Sequence, residues 1–78
     1  MQFTAEMKDE LELILKFPDK SLMQGLKIHH DAAPEIVSAA QRLFDKGIVT
    51  QTDGGYLTHL GLDLQEHAQT LALALKAK

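Results

Sequence analysis

Seventy-eight residues, 45% of them apolar, suffice for one small hydrophobic core and leave no room for a second. With no cysteine in the chain, a disulfide framework, a thiolate zinc site and a cysteine nucleophile are all excluded. The net charge of −3 sits in residues 1–19, where Lys8 and Lys16 face Glu6, Asp9, Glu10, Glu12 and Asp19, so nothing resembles a basic nucleic-acid-binding tail.

A short chain without disulfides fits a reducing cytoplasm. The longest apolar-rich stretch, around residues 71–75, is far below the roughly 20 residues of a bilayer span. The N-terminal residues turn acidic at once, unlike a signal peptide. The expectation is a single domain, residues 1–78, with no membrane contact.

The first helix is predicted over residues 4–16. Thr4 suits the N-cap, and Glu6, Asp9 and Glu10 suit the positive N-terminal end. Met7, Leu11, Ile14 and Leu15 recur at helical spacing as the core face, with Leu13 on the far side. Phe17-Pro18 stops the helix, because a residue before proline is pushed out of the helical region. A short second helix is predicted over residues 19–27, with Leu22, Met23 and Leu26 apolar and Gly25 near its end. Residues 29–33 read as a turn.

Pro34 suits the first position of a third helix, predicted over residues 34–46. Ile36, Val37, Ala40, Leu43 and Phe44 share one face roughly 120° wide. Glu35, Ser38, Arg42 and Lys46 lie opposite, with Ala39 and Gln41 at the margins. Gly47 is the expected C-terminal cap. Strands are predicted at residues 48–52 and 56–58, joined by an Asp53-Gly54-Gly55 turn. Thr58 can cap the last helix, residues 59–76. Its expected core stripe is Leu60, Leu64, Ala68, Leu71 and Leu75, with Leu62 and Leu73 opposite.

The predicted fold class is mainly α with a small β-hairpin wing, a winged helix-turn-helix. Residues 42–64, RLFDKGIVTQTDGGYLTHLGLDL, resemble the helix-wing-helix junction of winged-helix regulators of the MarR type. The resemblance rests on Leu43, on Lys46-Gly47-Ile48-Val49 and on Leu57-Thr58-His59-Leu60-Gly61. The whole chain is also similar to a small uncharacterised bacterial family of about eighty residues carried under a DNA-binding label. That similarity rests on Phe3-Thr4, on GLKIHHDA at residues 25–32 and on QTDGGYLT at residues 51–58.

The resemblance implies a small transcriptional regulator or accessory factor that places the third helix in the major groove of duplex DNA. Ser38, Ala39, Gln41 and Arg42 would face base edges, Arg42 toward guanine and Gln41 toward adenine. Lys46, Lys27, Lys20, His29 and His30 would meet phosphates. The wing itself has no Lys or Arg and carries Asp53, so it offers phosphate no attraction. With so few cations, a shallow salt slope on the order of −3 to −4 is expected.

The alternative is a non-catalytic protein-protein interaction module on the same fold, which the acidic first helix and neutral middle favour. Leu13, Leu62 and Leu73 cannot all face one core, and they form a candidate homodimer interface. No metal site is expected: His29, His30 and Asp31 read as turn residues, and His59 and His67 lack metal-ligand spacing. No cofactor is implied. There is no nucleophile motif, phosphate-binding glycine loop or carboxylate pair, so no catalytic residue is assigned. Asp53-Gly54-Gly55 reads as a hairpin turn rather than an anion cradle.

Overall fold

The structure is a computed structural model that describes residues 1–18 and 25–77. Its elements in chain order are α1 (Ala5–Lys16), β1 (Leu26–Lys27), α2 (Pro34–Asp45), β2 (Val49–Gln51), β3 (Gly54–Leu57) and α3 (His59–Lys76). The fold is mainly helical with a small antiparallel sheet, and the helix-hairpin-helix junction lies where the sequence places it.

Local chemistry explains the helix ends. The Thr4 hydroxyl accepts the Met7 N–H at 3.0 Å and so satisfies one free donor of the first turn of α1. Phe17, before Pro18, is extended and ends that helix. Pro34 begins α2, and Gly47 after it has φ 76°, a conformation that suits glycine.

The predicted second helix is corrected in part. Leu26 and Lys27 form a strand, with Leu26 opposite Gly55 and Lys27 opposite Gly54. The remainder of that predicted helix, residues 19–24, lies outside the described residues. The sheet order is β1-β3-β2, so β3 is central. The hairpin also differs from expectation: Thr52 and Asp53 make the turn, and Gly54 and Gly55 belong to β3. A Cβ at Gly54 would collide with the Leu26 carbonyl oxygen, so the glycine lets β1 lie close against β3.

The core gathers Leu13, Ile14 and Phe17 from α1, Ala39, Ala40 and Leu43 from α2, and Ile48, Val49 and Leu57 from the hairpin. Two predicted helix faces are rotated. On α1 the buried series is Glu10, Leu13, Ile14 and Phe17, so Leu13 is a core residue and not a surface one. Both series have helical spacing, and packing against α2 selects the second.

On α3 the buried residues are Gly61, Gln65 and Ala68, while Leu60, Leu71 and Leu75 are exposed. The small residues win because α3 packs at close range. A Cβ at Gly61 would strike the Ile48 carbonyl oxygen. Gln65 is buried and donates from Nε2 to the carbonyls of Phe17 at 2.8 Å and Ile14 at 3.2 Å. It thereby caps the C-terminal end of α1 from another helix.

Thr58 ties the junction together. Its hydroxyl accepts the Gly61 N–H at 3.0 Å and donates to the Gly47 carbonyl at 2.7 Å. Its own N–H donates to the Ile48 carbonyl. One side chain thus joins the end of α2, the wing and the start of α3.

Candidate functional site

The face of α2 that meets solvent is the place to look for function, because it is the reading face of a winged helix. Its position depends on how α2 is rolled. The sequence centres the buried face near Ala40, with Val37 and Phe44 inside. In the structure Ala39, Ala40 and Leu43 are buried and Ile36 is half-buried. Val37 and Phe44 are 36% and 40% exposed. The helix is therefore rolled by roughly 50° relative to the expectation.

That roll has an electrostatic cause on the other side of the helix. Glu10, only 7% exposed, projects from α1 toward α2. Its Oε2 accepts from Arg42 Nε at 2.9 Å, and its Oε1 is bonded by Lys46 Nζ. A second α1 carboxylate, Glu6, lies 3.9 Å from Arg42 Nη1, and the Glu6 carbonyl accepts from Arg42 Nη2 at 3.4 Å. Burial acts to raise the Glu10 pKa. The hydrogen bonds and charges of Lys46 and Arg42 outweigh it and hold the carboxyl below its ordinary value. Among the described residues no buried side-chain polar atom lacks a partner.

The predicted DNA-contacting residues are accordingly scattered in role. Ser38 and Gln41 are exposed, and Gln41 Nε2 donates to Asp45 Oδ1 at 3.1 Å on the same helix. Ala39 is fully buried and touches no groove, which corrects its assignment as a base-facing residue. Arg42 and Lys46 are turned toward α1, as described above. Lys27 pairs with Asp53 of the wing at 3.3 Å. His29 and His30 are exposed in the loop after β1. Lys20 lies outside the described residues.

The predicted dimer leucines are also separated. Leu13 is buried in the core, which removes it from any surface. Leu62 is half-buried against the core, and Leu73 is exposed.

A cleft of about 340 Å³ runs beside α2. Ile28, His29 and His30 line one wall, Val37 and Gln41 another, and Asp53 the wing end. Its floor is held by the sheet, since the Ile28 N–H donates to the Asp53 carbonyl at 2.8 Å. Val37, Gln41 and Phe44 follow i, i+4, i+7 spacing, so two apolar side chains flank an amide along one exposed stripe. Nothing on this face bears an unpaired cation.

Sequence reasoning missed Glu10 and Gln65. Each had a signal. Glu10 begins the series 10, 13, 14, 17, and Gln65 interrupts an apolar stripe between Leu64 and Ala68. A polar residue within an apolar face commonly has a buried partner.

The family of unknown function DUF5669 matches residues 1–76, and the chain belongs to that family. Compared with curated proteins and with solved structures, the chain has no match. No helix among the described residues is long and apolar enough to cross a membrane.

Proposed function

We propose that this member of the family is a non-catalytic, cytoplasmic protein-interaction module. It presents the solvent face of α2 and the adjoining cleft to a protein partner. The observation that carries this reading is the double engagement of Glu10 by Arg42 and Lys46.

The magnitudes favour it. A bidentate arginine-guanine contact is worth about 1–3 kcal/mol of discrimination. Swinging Arg42 outward would deprive a buried carboxylate of a partner, at a cost of about the same size or more. The same applies to Lys46, and Lys27 is already beside Asp53. What remains on the face is Val37, Phe44, Ser38, Gln41 and Asp45, which are apolar, neutral or acidic. Such a face suits a partner that brings aliphatic side chains and hydrogen-bond donors.

The second reading is duplex DNA binding by α2 as a small regulator. It is supported by the α2-hairpin-α3 arrangement and by the exposure of Ser38, Gln41 and the Lys27 side chain.

Fluorescence anisotropy against random duplex DNA, at about 50 mM and about 200 mM salt, separates the two. The interaction reading expects no binding up to high micromolar protein at either salt. Micromolar binding that weakens steeply with salt and disappears in Lys27→Ala overturns it in favour of DNA.

A further inference from the structure

We propose that the distal half of α3 is a homodimerisation arm that packs antiparallel against the same segment of a second copy, centred on Leu71. The last buried residue of α3 is Ala68. The helix continues to Lys76, about 12 Å further. Along that extension Leu71, Leu73 and Leu75 are 45%, 68% and 77% exposed, and Ala74 is exposed beside them. A helix that is apolar around its circumference belongs in an interior, and contiguous exposed leucines mark an interface.

The charges along α3 say what covers it. Asp63 and Glu66 lie before Leu71, and Lys76 lies after it. An antiparallel second copy centred on Leu71 brings its Lys76 level with Glu66 of the first, and the reverse, so the attraction is counted twice. It also opposes the two helix dipoles. A parallel copy would set acid beside acid and lysine beside lysine. In the antiparallel arrangement Leu75 of the second copy comes level with His67. There a surface groove of about 520 Å³ is lined by Glu66, His67, Thr70, Leu71 and Ala74. The contact is isologous and closes at two copies.

The seam is short. From Glu66 to Lys76 it spans about 16 Å, below the size of a standard stable interface, so the dimer has a micromolar dissociation constant.

Sedimentation velocity from about 5 to about 500 µM tests this range. The wild-type mass should double with rising concentration. Leu71→Gln combined with Leu75→Gln should remain monomeric with unchanged helix content by circular dichroism, since both side chains are exposed. Lys76→Glu should weaken the dimer about fivefold, and adding Glu66→Lys should restore it.

Register has its own readout. The chain has no cysteine, so Leu71→Cys introduces a unique thiol. It should form a disulfide-linked dimer far faster than the exposed Ser38→Cys control. That measurement decides the matter if the glutamine variant loses helix. A wild type that stays monomeric at the highest concentration overturns the proposal. So does a glutamine variant that is folded and still dimeric, or equal oxidation rates for the two cysteine variants.

Discussion

Arg42 Nε donates to Glu10 Oε2 at 2.9 Å, across 32 positions of sequence and from one helix to another. This bond, with the Lys46 contact on the other carboxylate oxygen, takes the basic side of α2 out of solvent and exposes Val37 and Phe44 in its place.

Removing the carboxylate should therefore cost stability. Glu10→Ala leaves Arg42 and Lys46 facing each other without a counter-charge. A loss of about 1–3 kcal/mol is expected, moderated because Lys46 is half-exposed. Urea denaturation at neutral pH measures it. A loss below about 0.5 kcal/mol would show that the pair does not hold α1 on α2.

The pH dependence follows from the direction of the shift. The folded Glu10 carboxyl is held below its ordinary value, so the unfolded chain takes up its proton first as pH falls. The stabilisation is complete above the ordinary carboxylate pKa of about 4.3 and is lost as pH drops through the lower folded value. Wild type should thus outlast Glu10→Gln at pH 7, and the gap should narrow steadily in acid. Thermal melts of both proteins across pH 7 to pH 3 read this directly. A gap independent of pH removes the electrostatic account.

Gln65→Leu keeps side-chain size but withdraws the donor from the Phe17 and Ile14 carbonyls. A cost of about 1–3 kcal/mol is expected, because at least the Phe17 oxygen is left unsatisfied beside the core. Hydrogen exchange should show the end of α1 opening more readily. If Gln65→Leu is as stable as wild type, apolar packing matters more here than the cap.

Thr58→Val should destabilise by about 1–2 kcal/mol, since one hydroxyl both caps α3 and bonds the Gly47 carbonyl. Thr58→Ser, which retains the hydroxyl, should recover most of the loss. Equal stabilities of the Val and Ser variants would mean that the cap contributes little.

Val37→Ser with Phe44→Ser tests the roll of α2. In the observed orientation both side chains are largely exposed, and the double variant should lose no more than about 1 kcal/mol. A loss of several kcal/mol would place them in the core, as the helical pattern alone suggests.

Much of the architecture was legible. Thr4, Phe17-Pro18, Pro34, Gly47 and Thr58 mark helix boundaries that the structure reproduces within a residue or so. These signals are local: a hydroxyl reaches a nearby N–H, and a proline ring clashes with its neighbour. The strand at Leu26–Lys27 was not legible, because two residues carry no period and their pairing partner lies almost thirty positions away. The candidate face was half legible. Ser38 and Gln41 are exposed as expected, whereas Ala39, Arg42 and Lys46 turn toward α1.

By itself the sequence determined where α1, α2, the hairpin and α3 begin and end, and that the chain carries one small core. Only the tertiary structure decided which face of each helix is buried. Apolar residues on α1, α2 and α3 offer more than one helical stripe, and periodicity alone does not rank them. The ranking comes from contacts made between elements. Gly61 admits α3 against Ile48, Gln65 closes the end of α1, and Glu10 draws Arg42 and Lys46 inward. Each of these depends on groups distant in the chain, whose approach sets the roll of the helix and so the surface it leaves to a partner.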